Sequence, residues 1–143
     1  MPFPLELKYI EIAEDQFGLK FPEKYKSKMQ QENSGEFRVT FSETTNDDEI
    51  EPWWLFPFQN SSEIKRIKRT MNHLVHENQS IQDMSDFPAN SVAIAFNDCG
   101  DYLLLCSVDE IHLEEKIYLW RHEYSESVYL LANSINVFIP IES

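Results

Sequence analysis

The sequence predicts an α+β fold: a single largely antiparallel, possibly mixed, sheet of about five to six strands with helices packed against it. Two patterns lead there. Helical spacing of apolar residues dominates the first half of the chain, and alternating or continuous apolar runs of strand length dominate from Ser91 onward. Helices first and strands after suggest one largely antiparallel sheet with the helices packed on it. At 143 residues the chain is one domain's worth, residues 1–143, and long enough to bury a core without staples.

The elements follow in order. Pro4 suits the first turn of a helix, and Leu5, Tyr9, Ile12 and Gln16, with Ala13 beside them, keep helical spacing to Phe17 before the natural stop at Gly18. A second helix opens at Pro22 and runs to about Glu32 on a narrow apolar stripe of Tyr25 and Met29. Asn33-Ser34-Gly35 is a turn. Phe37, Val39 and Phe41 alternate with Arg38 and Thr40, which marks a half-buried strand over 36–42. Glu43 to Glu51 reads as a loop, and Trp53 to Phe58, broken by Pro57, as a short edge strand or extended segment.

Ser61 or Ser62 caps a third helix to about Asn78, with Ile64, Ile67, Met71, Leu74 and Val75 on its inner face and Lys65, Arg66, Arg69, His73 and His76 opposite. Strands are expected near 92–96, 102–108, 116–121 and 127–131, with Asn97-Asp98-Cys99-Gly100 as a turn. Asn133 or Ser134 caps a short last helix to 139.

Charge narrows the function. The net charge of −13 makes direct binding of nucleic acid a poor expectation, because phosphate contact needs Lys and Arg. The charge is also uneven: residues 43–51 and 97–126 together carry −11 of it. Such concentration suits either solubility or a basic partner. The acids Glu43, Asp47, Asp48, Glu49 and Glu51 in the first segment, and Asp98, Asp109, Glu110, Glu114 and Glu115 in the second, are the candidate partner-binding residues. Trp53 and Trp54 join them. In an extended chain adjacent side chains face opposite ways, so one is buried and the other is free to anchor an interface. The alternative is that both are core.

Known catalytic patterns are missing. His73 and His76 have a zinc-compatible spacing of three on a helix, but their neighbours Arg66 and Arg69 disfavour a cation. Cys99 and Cys106 stand too far apart in sequence for a redox or zinc pair, and Cys106 reads as a small core residue. Asp98 and Asp101 lack the rest of a calcium loop. No phosphate-cradling or nucleophile-elbow motif occurs. The expectation is therefore no enzyme, no catalytic residue, no metal and no cofactor. The chain has no apolar run of spanning length and no leader-like start, and its two thiols suit a reducing compartment, so a cytoplasmic protein that does not engage membranes is expected.

Four motifs in order resemble the SUKH superfamily, whose name derives partly from a yeast cell-wall-synthesis regulator. Gly18-Leu19-Lys20-Phe21-Pro22-Glu23-Lys24-Tyr25 is similar to the family's "G-x-x-L-P-x-x-Y", with Phe21 for Leu. Asn33-Ser34-Gly35 resembles its "N-G-G" turn, with Ser34 for the first Gly. The run from Val92 to Leu105 resembles its strand, "G-G-D" turn and strand, with Cys99 for Gly. Val128 to Ile139 is similar to its closing strand and helix. The resemblance implies an immunity protein that binds and neutralises a cognate toxin, expected to be a basic nuclease domain. Its other implication is a regulatory module with an endogenous partner.

Overall fold

The computed structural model describes residues 4–38, 52–61, 64–71, 73–84, 87–97, 100–120, 128–132 and 139–140. The elements are α1 (Leu7–Phe17), α2 (Glu23–Gln31), β1 (Gly35–Arg38), β2 (Pro52–Leu55), α3 (Ile64–Arg69), α4 (Leu74–Ile81), β3 (Ser91–Phe96), β4 (Tyr102–Ser107), β5 (Leu113–Trp120), β6 (Val128–Ala132) and β7 (Ile139–Pro140). Among the described residues seven strands form one sheet in the order β6-β5-β4-β3-β2-β1-β7, and every neighbouring pair is antiparallel. The α+β class holds.

The strand count exceeds the expected five to six at two places. The Trp53-Trp54 stretch is no edge strand: β2 lies inside the sheet, between β1 and β3. Pro57 does not interfere because pairing with β1 ends at Leu55 and the next ladder-like bond, Phe56 N–H to the Ile94 carbonyl at 2.9 Å, precedes it. Ile139, expected to end a helix, instead pairs with Arg38 in β7; the rest of that expected helix, residues 133–138, lies outside the described residues.

The motif after α1 is a docking device. Gly18 adopts φ 70°, and its N–H donates to the Glu14 carbonyl at 2.8 Å, which closes α1. Lys20 then bridges to the β4–β5 connection: its N–H donates to the Ile111 carbonyl at 2.7 Å, and its carbonyl accepts from Leu113 N–H at 2.9 Å. Phe21 and Tyr25 enter the core with Phe58. Pro22 caps α2 without a side-chain donor or acceptor, and Glu115 from β5 reaches Lys24 N–H at 3.3 Å in its place. In α1 the buried stripe is Tyr9, Ile10 and Ala13; Ile12, expected inside, is exposed.

The single helix expected over 62–78 is two helices. Thr70 Oγ1 donates back to the Arg66 carbonyl and accepts from Asn60 N–H, which ties the end of α3 to the loop before it. Leu74 N–H is diverted to the Pro57 carbonyl at 2.7 Å. His73 then caps α4, its Nδ1 accepting from His76 N–H at 3.2 Å. Ile64, Ile67 and Met71, expected inside, are exposed, while Leu74 and Ile81 of α4 are buried.

Two asparagines finish the packing. Asn33 donates through Nδ2 to the Phe58 carbonyl at 2.9 Å and accepts Phe58 N–H at 2.8 Å. Asn78 of α4 treats Ala93 of β3 in the same way. Each side chain acts as a substitute strand where the backbone groups of Phe58 and Ala93 would otherwise be buried without partners. Above and below them, Val92, Ile94, Leu103, Leu104, Leu105 and Ile117 are fully buried.

Candidate interaction groove

The register across the sheet places one side chain per strand in a single row. Glu36 of β1 faces Trp54 of β2, Trp54 faces Phe96 of β3, Phe96 faces Tyr102 of β4, and Tyr102 faces Trp120 of β5. Directly opposed residues share a face, so the row is continuous. Trp54 and Phe96 stack at 5.6 Å between ring centroids, Phe56 and Phe96 at 4.9 Å, and Tyr102 and Trp120 at 5.9 Å. At one end Phe87 packs edge-on against Trp120, which is buried. At the other end the row opens.

A groove of about 740 Å³ lies over the open part. Its sheet wall is Glu36, Trp54, Phe96 and Tyr102. The opposite wall is Arg66 and Thr70 at α3 and Glu77 and Ile81 of α4. Trp54, Phe96 and Tyr102 are half-buried, so they form a wall and not a core. Burial and the nearby Glu77 carboxylate both push the Tyr102 hydroxyl up from its usual range. The α3–α4 break creates the second wall, because a straight helix would continue α3 along the axis of α4.

The tryptophan pair divides as the alternation of a strand predicts. Trp53 is 2% exposed and faces Phe37, while Trp54 enters the groove. Trp53 is thus core. Sequence reasoning missed Glu36, Arg66, Glu77, Phe96 and Tyr102. Glu36 was readable from the same alternation that turned Phe37 inward.

The acidic candidates fall in several places. Glu43, Asp47, Asp48, Glu49, Glu51 and Asp98 lie outside the described residues. The paired ends that flank the first segment, Arg38 and Pro52, are at the same end of the sheet as Phe96 and Tyr102. Asp109, Glu110, Glu114 and Glu115 are at the opposite end, near the Ser107–Leu113 pair, roughly 20 Å away along a six-residue strand. The described acids therefore do not join the first segment's flanks in one patch.

Three of these four acids have internal partners. Asp109 accepts from His112 N–H and Ile111 N–H at 2.7 Å each and meets His112 Nδ1 at 3.0 Å, which holds its carboxyl down at about 2. Glu114 accepts from the Tyr118 hydroxyl, and Glu115 serves α2.

Among the described residues, no three His, Cys, Asp or Glu side chains gather into a metal-holding group. His73 and His76 are not on one polar helix face; the first caps the helix that carries the second. Cys106 is half-buried against the core, and burial pushes its thiol up, away from the reactive thiolate.

The profile of the SMI1 / KNR4 family (SUKH-1) matches residues 4–140, nearly the whole chain. The chain belongs to the SUKH-1 family. SUKH domains are associated with toxin immunity. No curated protein and no solved structure gives a significant match. Within this SUKH-1 domain the family-like motifs have structural roles: Gly18 to Tyr25 docks α2 and β5, and Asn33 clamps Phe58. Asn97 closes the β3–β4 turn, its Oδ1 accepting Asp101 N–H at 2.9 Å. None of the SUKH-1 helices described is long and apolar enough to cross a membrane.

Proposed function

We propose that this SUKH-1 domain is a cytoplasmic immunity protein that binds a cognate toxin and neutralises it by covering its active or substrate site, without catalysis of its own. The toxin is of the basic nuclease type. The reading is carried by one observation: the groove offers a half-buried Trp54 on a wall of aromatic rings, an arrangement suited to anchoring a partner protein. The net charge of −13 supports a basic partner, whose approach it would accelerate.

In this reading Trp54 is the anchor. The acids of the first segment, Glu43, Asp47, Asp48, Glu49 and Glu51, steer encounter together with Asp98, and Asp109, Glu110, Glu114 and Glu115 add to the long-range field. Trp53 supports Trp54 from beneath the sheet.

The test is binding to a toxin domain encoded beside this gene, followed by surface plasmon resonance and toxin-activity assays. Trp54→Ala should weaken binding by about 2 kcal/mol, roughly thirtyfold, mostly through a faster off-rate. Replacing Asp47, Asp48 and Glu49 with Asn and Gln should slow association more than it speeds dissociation. Undiminished binding by Trp54→Ala would remove the groove from the interface.

A further inference from the structure

The groove's charged groups stand at the margins of its aromatic wall. Among the described residues its lining carries two carboxylates, Glu36 and Glu77, against one guanidinium, Arg66. Glu36 is exposed and directly opposite Trp54 across the β1–β2 ladder. Glu77 comes from α4 on the other wall and lies near enough to Tyr102 to act on its hydroxyl. Trp54, Phe96 and Tyr102 run between the two carboxylates in register.

This arrangement favours one kind of side chain. An aromatic face attracts a cation placed within about 6 Å of its centroid. A guanidinium is planar, so it lies flat on a ring while its edge donates to a carboxylate. An ammonium is a compact, strongly hydrated charge and makes poorer use of the ring. An apolar occupant would take two carboxylates out of water with one guanidinium, Arg66, in the lining, and an acidic one would meet a net negative lining.

We propose that the groove is a receptor for an arginine side chain of the partner protein, its guanidinium stacked on Trp54 and bonded to Glu36, with Glu77 adding negative charge from the opposite wall. This rests on the partner-binding reading above and names the chemistry of the segment that enters. The groove is larger than one side chain, so the residues flanking that arginine enter with it. Phe96 and Ile81 provide apolar surface for them.

N-acetyl-arginine amide is the probe, titrated into the intact chain and followed by the indole N–H signals of the three tryptophans. Trp54→Phe assigns the Trp54 signal. The expected result is a saturable shift of that signal, with binding about tenfold tighter than that of N-acetyl-leucine amide, equivalent to 1.4 kcal/mol. The lysine derivative should fall between them. The double variant Glu36→Gln/Glu77→Gln, conservative in shape, should erase the preference for arginine over leucine. Equal binding of the arginine and leucine derivatives, an unmoved Trp54 signal, or a preference that survives the double variant would overturn the proposal. A toxin domain that depends on Trp54 but is indifferent to Glu36→Gln/Glu77→Gln would also overturn it, while leaving the partner-binding reading intact. A toxin domain that ignores Trp54→Ala defeats that reading instead, whatever the arginine derivative does.

Discussion

Asn78 holds Ala93 by both of its backbone polar groups. Its Nδ2 donates to the Ala93 carbonyl at 2.8 Å and its Oδ1 accepts Ala93 N–H at 2.9 Å. The contact sits beside the register shift between Ala93 and Ala95, where β2 has already ended its pairing with β3. Asn78 is 1% exposed, so no water can replace it. Asn78→Ala should therefore cost about 2–4 kcal/mol, the penalty for leaving a buried N–H and a buried C=O unmatched. Asn78→Asp should cost at least as much, because its carboxylate faces two carbonyls, those of Ala93 and Leu74. Urea denaturation measures both; a loss under about 0.5 kcal/mol would mean the clamp is dispensable.

Ser34 carries backbone strain at the rim of the groove. Its φ of 104° lies where side chains are disfavoured, and a SUKH-like turn would place Gly there. The hydroxyl donates to the Leu55 carbonyl at 2.7 Å, which offsets part of the strain. Ser34→Ala loses that bond and keeps the strain, while Ser34→Gly loses both. The Gly variant should therefore be more stable than the Ala variant by about 1–3 kcal/mol. Thermal denaturation of the two side by side gives the strain directly, and equal stabilities would show that there is none.

Lys28 should make stability rise with pH in the alkaline range. It donates to the carbonyls of Ser34 and Glu32 from a largely buried position, and burial pushes its ammonium down to about 8. In the unfolded chain the same group titrates near 10.4. Below about pH 8 both states hold the proton and the cost of burying the charge is constant. Between there and about pH 10.4 only the unfolded chain holds it, so this group's contribution improves as pH rises. Lys28→Met should flatten the pH dependence of the urea midpoint over that window. An unchanged slope would place the Lys28 titration outside it.

Glu115 should matter to α2 more than its exposure suggests. Pro22 provides no capping group, and the Glu115 carboxylate meets Lys24 N–H at 3.3 Å and Lys24 Nζ at 3.7 Å. A negative charge at a helix N-terminus also complements its dipole. Glu115→Ala should lower stability by about 0.5–1 kcal/mol, with Glu115→Gln in between. Hydrogen exchange should quicken in the first turn of α2 before it does elsewhere.

The sequence carried the sheet more clearly than the helices. Antiparallel strands announce themselves through local alternation and short turns, and the opposed fates of Trp53 and Trp54 follow from pleat geometry alone. The break between α3 and α4 was hidden because Ile64, Ile67, Met71 and Leu74 keep a sound helical period. What breaks it is tertiary: the Pro57 carbonyl takes Leu74 N–H, and Asn60 engages Thr70. Only Thr70 and His73, residues able to bond locally, hinted at it. The groove depends on that break and on a register running over five strands, so its members, scattered from Asn33 to Tyr102, could not be assembled from spacing. Charge counting likewise treated Asp109, Glu114 and Glu115 as surface display, although each has a bonding partner within the fold.

The Asn33 clamp also bears on how this protein ages. An asparagine followed by a small residue such as Ser34 is a site of spontaneous deamidation, in which the next backbone nitrogen attacks the side-chain amide. Here both amide atoms are held by Phe58, and the side chain must leave that contact before the ring can close. The native fold is thus a preservative for its own turn. Each excursion that frees Asn33 exposes it to a reaction whose product, an aspartate or its isomer, can no longer donate to the Phe58 carbonyl. Chemical damage would then accumulate as a record of how often the turn has opened.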